Sequence, residues 1–295
     1  EKHHIRVCGI EDSNYPRLLK HCADAPLVLF YKGILDASDS KNIAIVGTRK
    51  ATEMGKKRVD TLLHELAETG YHPNIISGLA YGIDITAHTA CMHYGLKAQA
   101  VLGHGLHMVY PASHKSMAEK ILEQGGALIS EFPTCAQILP TNFLQRNRIV
   151  AGMSEAILVA ESPIKGGAMS TARQALSYNR DVMAIPGRPE DPTFAGCNLL
   201  IKQNIAALVE NVKDLLRILN WPPLPTEPYQ MSLDLFPVTN NEVLIMETLA
   251  KMGEQNIDQL HQLTRIPVHD LSVLLLKLEL EGRVMQLPGN CYTLI

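Results

Sequence analysis

From Asn42 onward, short runs of Val, Ile, Leu and Ala recur along the chain without the polar alternation of a half-exposed strand, and segments long enough for helices separate them. Strands buried on both faces read this way, so the pattern predicts parallel strands covered by helices. The runs are Ile43 to Val46, Ile75 to Ser77, Ala98 to Leu102, Ala127 to Ser130, Ala156 to Ala160 and Val182 to Ile185; helical stretches such as Lys56 to Glu68 and Met169 to Asn179 lie between them. Strands joined by helical crossovers make an α/β fold with a Rossmann-like, doubly wound, mostly parallel sheet. A preceding strand is expected at Leu27 to Tyr31, and the helix-like Leu199 to Asn204 and Val212 to Leu219 close the layer.

The pattern then breaks. WPPLPTEPYQ, from Trp221 to Gln230, holds four prolines in ten residues, which can neither continue a helix nor enter a central strand. Beyond it, helical periodicity returns at Asn241 to Lys251, Ile257 to Thr264 and Val268 to Glu281, followed by Arg283 to Gln286, a Pro-Gly-Asn turn and Tyr292 to Ile295 as a hairpin. Three helices and a hairpin predict a small winged-helix-like domain. The expected organisation is residues 1–220 as the sheet domain with an N-terminal extension, 221–235 as linker and 236–295 as the winged domain.

Composition narrows the function classes. The 295 residues, 46% hydrophobic and 19% charged, are ordinary for globular domains, and a net charge of −3 excludes a uniformly basic nucleic-acid wrapper. Any anion site must therefore come from local arrangement. No apolar run approaches the ~18 residues of a membrane span, and the N-terminal EKHHIRVCGIED has no apolar signal region. The six cysteines are scattered without a CxxC pair, which fits reduced thiols and a cytoplasmic protein without membrane partners. Because the chain begins at Glu1 rather than Met, a trimmed form is expected, and whether an N-terminal segment precedes it stays open.

In an open α/β sheet, ligands sit beyond the carboxyl ends of the strands, so the turns after each strand carry the chemistry. The first is Gly47-Thr48-Arg49-Lys50, small residues and cations leading into a helix, as phosphate sites require. The second begins Ser77-Gly78 within SGLAYGID, and a third is Lys165-Gly166-Gly167-Ala168-Met169-Ser170. Three such turns on one sheet edge suggest a groove for several phosphates. Between them, on a helix beginning after Pro140, lie Phe143, Arg146, Asn147 and Arg148. Arg146 and Arg148 are two apart and cannot share a helical face, so they are expected to do different jobs. Phe143 stands out because aromatics are 5% of the chain, and an aromatic beside arginines can stack a base while the cations take phosphates.

Enzyme signatures are weaker. Gly103-His104-Gly105-Leu106-His107-Met108 lacks the third glycine of a dinucleotide fingerprint, and there is no P-loop or GxSxG elbow. The histidines at 88, 93, 104, 107 and 114 crowd one stretch without metal-ligand spacing. Neither a cofactor nor a metal is expected, and no residue is assigned as catalytic.

The motifs VGTR (46–49), SGLAYGID (77–84) with Ala87-His88, AVLGHGL (100–106), Tyr110-Pro111, ISEFP (129–133), RNRIVAGMS (146–154), KGGAMSTA (165–172), AIPG (184–187) and GCNLLI (196–201) together resemble the DNA-processing protein A family, also called DprA or Smf. The ordered likeness spans about Tyr15 to Asn220. It implies a Rossmann-like domain that binds single-stranded DNA, forms a homodimer and helps load the RecA recombinase during natural transformation (competence), with no catalytic activity. It also implies DNA contacts at Arg49, Phe143, Arg146, Arg148, Gly166, Gly167 and Ser170. Departures are His107 where the family usually has Asp, His114 where it has Asn, and Pro140 near a position where some relatives carry Lys. Many relatives also carry a small helical domain ahead of this region.

Two further expectations follow from charge and from the glycine loop. Residues 236–295 hold four Lys and Arg against seven Asp and Glu, a balance of −3, so the winged domain is expected to contact protein rather than duplex DNA. The glycine loop also superficially resembles the PGGxGT motif of lysine-decarboxylase-like ribonucleotide phosphohydrolases, the alternative reading. Arg173 and Gln174 follow where that chemistry wants a carboxylate.

Overall fold

The computed structural model describes residues 4–35, 41–221, 240–281, 283–287 and 290–294. The chain divides into two units, Glu1–Leu224 and Pro225–Ile295. In the first, β1 (Arg6–Gly9), α1 (Arg17–Lys20) and β2 (Val28–Gly33) precede the alternating series β3 (Asn42–Gly47), α2 (Glu53–Glu68), β4 (Asn74–Ser77), α3 (Ile83–Tyr94), β5 (Lys97–Val101), α4 (Lys115–Glu123) and β6 (Ala127–Ser130). It continues as α5 (Pro140–Gly152), β7 (Ala156–Glu161), α6 (Gly167–Ser177), β8 (Asp181–Ala184), α7 (Ala195–Lys202), β9 (Ala207–Leu208) and α8 (Val212–Ile218).

These strands form one nine-stranded sheet in the order β1-β2-β6-β5-β4-β3-β7-β8-β9. Neighbours from β6 through β9 pair parallel, while β1 and β2 add antiparallel pairs at one edge. The chain winds outward from β3 through β4 and β5 to β6, and α5 then returns it to β7 on the other side of β3. The strand order therefore reverses between β3 and β7, the place where doubly wound sheets open a crevice.

Alternation along the strands builds two cores. Ile43, Ile45, Ile75 and Leu158 pack with Val59, Leu63, Leu66 and Ile83, whereas Ala44, Val46, Ile76, Ile157 and Val159 pack with Ile149, Val150, Ala168 and Ala172. Each fully buried Ile, Leu or Val contributes roughly 1.5–3 kcal/mol, so burial on both faces holds the sheet. Trp221 closes the first core. Expected to open the linker, it is instead 4% exposed, lies 5.1 Å from the Tyr71 ring and carries the Lys41 amine 4.2 Å above its ring. The rest of the expected linker, 222–235, lies outside the described residues.

The second unit contains α9 (Asn240–Met252), β10 (Gln255–Asn256), α10 (Ile257–Thr264), α11 (Val268–Leu280), β11 (Val284–Leu287) and β12 (Cys291–Leu294), with sheet order β10-β12-β11. Asn256 and Gln259 cap α10 reciprocally. Ile245, Leu249, Leu260, Leu271, Leu275 and Leu278 form its core, and the buried Glu242 binds Lys277 at 2.6 Å. This is a winged helix. Pro288 and Gly289 of the expected turn lie outside the described residues.

Candidate nucleic-acid interface

The reversal between β3 and β7 opens a cleft of about 560 Å³. Gly47, Thr48 and Arg49 after β3 form one wall, and Gly166, Gly167, Ala168 and Thr171 at the start of α6 form another. Tyr110 and the α5 side chains Phe143, Leu144, Arg146 and Asn147 complete it, with Asp84 of α3 among the lining groups.

Arg146 is 4% exposed, forms no ion pair among the described residues, and its Nε has no hydrogen-bond partner. Burial lowers its pKa; Asp84 works against that and Arg49 adds to it. Gly78 exists for this arrangement, since a Cβ there would overlap the guanidinium. Asp84 is also buried. Desolvation raises its pKa, the Arg146 charge opposes the rise, and the Ala80 amide donates to its carboxylate at 3.4 Å. A guanidinium removed from water with Asp84 nearby but no carboxylate at ion-pair distance among the described residues is costly, and an anionic ligand would add negative charge where it is only partly balanced.

Above this cation lies an apolar and aromatic surface. The Arg49 guanidinium sits 5.3 Å from the Phe143 ring centroid, and the Tyr110 ring lies 5.8 Å from it on a tilted plane. Arg49 is exposed and Phe143 only half-buried, so Phe143 is a cleft side chain rather than a core one. Across from it, α6 begins at Gly166 without a side-chain cap, and Gly167 is exposed with open space where a Cβ would stand. The Met169 N–H turns back to the Gly166 carbonyl at 3.2 Å, and the earlier N–H groups of the turn, which have no intrahelical acceptor, are the donors this helix end offers to an anion.

The structure does not gather all the residues expected of the groove. Ser77 is fully buried and donates to the Ile45 carbonyl at 2.6 Å, and Gly78 is packed beneath Arg146. These two residues therefore support the floor, while Ala80 and Asp84 of the same segment line the cleft. Arg148 points off the opposite side of α5, where it pairs with Glu131 and donates to the Asp24 carbonyl. Lys50 and Lys165 are exposed and, like the half-buried Ser170, are not among the lining residues. The helix after the first turn starts at Glu53, three residues before the expected Lys56, because Thr52 caps it by accepting from Gly55 N–H at 3.1 Å. Its N-terminus is already filled by the buried Glu161 carboxylate, which accepts from Thr52 N–H at 3.0 and 3.2 Å and from Thr52 Oγ1 at 3.0 Å. Sequence reasoning missed Glu161, Asp84 and Tyr110. Among the described residues no cluster of three or more metal-ligating side chains occurs, and no helix is long and apolar enough to cross a membrane.

Comparison with known proteins decides the kinship. The family model for DNA recombination-mediator protein A matches residues 6–220. The chain belongs to that family. The DprA winged helix domain model matches residues 242–290. Among curated members, Protein Smf of Escherichia coli is 37% identical, the alignment covering 96% of this chain and 79% of that one. The DNA processing protein DprA of Streptococcus pneumoniae is 38% identical over 70% of this chain and 72% of its own. The X-ray structure of the pneumococcal DprA superposes with a TM-score of 0.67 at 36% identity, covering 73% of this chain and 75% of that one. A DprA structure from Helicobacter pylori, described in terms of its single-stranded DNA binding mode, gives 0.64 at 28% identity, covering 74% of this chain and 97% of that one.

Proposed function

We propose that this chain is a single-stranded DNA-binding recombination mediator that works as a homodimer in the cytoplasm, protecting incoming single strands and loading the RecA recombinase during natural transformation. The observation that carries the binding step is the buried Arg146, without an ion pair among the described residues, at the floor of a cleft rimmed by Phe143, Arg49 and the open end of α6. Phosphates of a single strand add negative charge beside Arg146, and a base stacks on Phe143. Duplex would keep its bases away from that ring, so the site favours single strands. Membership in a recombination-mediator family and the described binding mode of the Helicobacter pylori relative support the same reading.

Fluorescence anisotropy of a labelled oligo-dT tests it. Phe143→Ala is expected to weaken binding by roughly tenfold, within the ~1–3 kcal/mol that one base–aromatic stack provides. Arg49→Ala is expected to weaken it comparably and to reduce the salt slope by about one unit. Unchanged affinity in both variants would remove the cleft from DNA binding.

The site binds and does no chemistry in this reading. Arg173 is exposed where a phosphohydrolase needs a carboxylate, and the one carboxylate lining the cleft among the described residues, Asp84, is engaged by the Ala80 amide and the Arg146 charge. Base or phosphate release from nucleoside monophosphates would overturn this.

The winged domain is assigned to protein contact. On α11, Val273 and Leu276 are exposed at 68% and 58%, while Lys277 is engaged by Glu242 at 2.6 Å and Glu281 at 3.9 Å. Arg283 is likewise paired with Glu281 at 3.3 Å. A groove-reading helix gathers cations for phosphates, and this one spends its lysine internally. A chain ending at Trp221 is expected to keep its oligo-dT affinity within about twofold, and the full chain to show no added affinity for duplex at physiological salt. Loss of duplex affinity on truncation would reassign the domain to DNA.

A further inference from the structure

The loop from Thr48 to Thr52 carries Arg49, and both of its ends are held by one residue, Glu161, 109 positions after Thr52. At the first end, Thr48 N–H donates to the Glu161 carbonyl at 2.7 Å. At the other, Thr52 offers its N–H and hydroxyl to the Glu161 carboxylate. Glu161 has no exposed surface, and the register of β3 against β7 shifts between Val46 and Gly47 so that Gly47 stands opposite Glu161. Room for the carboxylate comes from Gly55, where a Cβ would fall on Oε2. A glycine in the first turns of a helix is otherwise unfavourable, so its presence here is tied to what occupies the space.

In doubly wound proteins the N-terminus of the first crossover helix is where a ligand phosphate sits. Here the chain's own carboxylate occupies it. We propose that Glu161 is a positioning residue for DNA binding: its carboxylate stands in for a ligand phosphate at the α2 N-terminus and so holds the Thr48–Thr52 loop, and with it Arg49, at the edge of the cleft. The arrangement directs an incoming phosphate away from α2, toward Arg49, Arg146 and the open end of α6. It also denies a nucleotide phosphate the place it would take in a dinucleotide enzyme. The proposal rests on the DNA-binding reading for its consequence, and on geometry alone for the occupancy of the α2 end.

Two variants displace the carboxylate in different ways. Glu161→Ala deletes it; Gly55→Ala leaves every polar group in place and crowds it out. Each is expected to lower oligo-dT affinity by about tenfold, and the double variant to be no weaker than either alone, because the methyl group added at position 55 then fills space already vacated. Formate, compared with chloride at equal ionic strength, is expected to restore much of the lost affinity of Glu161→Ala and to raise its melting temperature by about 2 °C. The wild type and the double variant, whose pockets are filled, gain neither. Additive losses, unchanged affinity in both single variants, or equal formate effects in all chains would each overturn the proposal. The melting measurement uses no DNA, so a wild type that failed to bind oligo-dT would sink the DNA-binding reading and leave the occupancy of α2 separately decided. Glu161→Gln, which keeps the shape, guards against loss of folding: it is expected to bind between wild type and Glu161→Ala, and affinity below that of the alanine variant would count against a positioning role.

Discussion

Arg146→Met is expected to lower single-stranded DNA affinity by about 100-fold while leaving the melting temperature unchanged or higher, because buried charges that are replaced by apolar groups of similar volume often become neutral or stabilising. The two effects point in opposite directions because the residue is badly placed for folding and well placed for an anion. Its guanidinium is buried, its Nε has no hydrogen-bond partner among the described residues, and the compensation comes from the field of Asp84. Methionine fills the volume above Gly78 without the charge, whereas alanine would leave a cavity and confuse the comparison. Removing the cation also leaves Asp84 with burial opposed only by its hydrogen bonds from Ala80, Ser77 and Gly78. Its pKa, already raised by desolvation and held back chiefly by Arg146, rises further. A carboxyl whose folded pKa lies above its unfolded value contributes stability that is present below the unfolded pKa and lost as pH rises through the folded one. The melting gain of Arg146→Met over wild type is therefore expected to be larger near pH 5 than near pH 8. Denaturation scans at both values, beside anisotropy with oligo-dT, check the pair of statements. A variant that binds as wild type does, or one that loses stability along with binding at both pH values, would show that Arg146 is a structural cation.

The sheet was legible because its strands are buried on both faces, and burial on both faces writes itself as uninterrupted apolar runs such as Ile43 to Val46 and Ala156 to Ala160. β1 escaped for the converse reason. It is an edge strand whose Arg6 and Val7 are exposed, so RVCG carries neither alternation nor an apolar run. β9 and β10, two residues each, are too short for any period. At the site, the spacing of Arg146 and Arg148 required opposite faces, and the helix sends one into the cleft and the other to Glu131. Phe143 was legible from the scarcity of aromatics. What the sequence could not show depends on topology. Gly78 reads as a ligand-facing glycine until Arg146, 68 residues on, is seen to occupy the space a Cβ would need. Glu161 reads as the polar end of a strand until β7 is placed beside β3, where it completes a helix cap that the basic turn alone suggested for a phosphate.

Acid sensitivity is the second large expectation, and His88 is its source. The ring is fully buried in α3 with no hydrogen-bond partner at either nitrogen among the described residues. Burial pushes its pKa down to about 3, and the charges of Arg146 and His114 push the same way. In the unfolded chain the group titrates near its ordinary value of ~6.5, so between that pH and about 3 the unfolded state holds a proton the native state does not. A depressed folded pKa contributes stability above the unfolded pKa and loses it on acidification, here by about 1.4 kcal/mol per pH unit once below it. At pH 5 the deficit from His88 alone is then roughly 2 kcal/mol, a large part of the margin by which a domain is folded. His88→Leu removes the titration and both unpartnered nitrogens. Urea denaturation of wild type and His88→Leu is expected to give similar stabilities at pH 8, or a modest advantage to leucine, and a gap that widens by about 2 kcal/mol by pH 5. Parallel stability curves across that range would mean that His88 is protonated or solvated in the folded protein. Bound oligo-dT sharpens the test, since a phosphate beside Arg146 offsets one of the charges that oppose protonation of His88. The gap at pH 5 is therefore expected to narrow when the cleft is filled, and a gap indifferent to DNA would place the phosphate elsewhere than at Arg146.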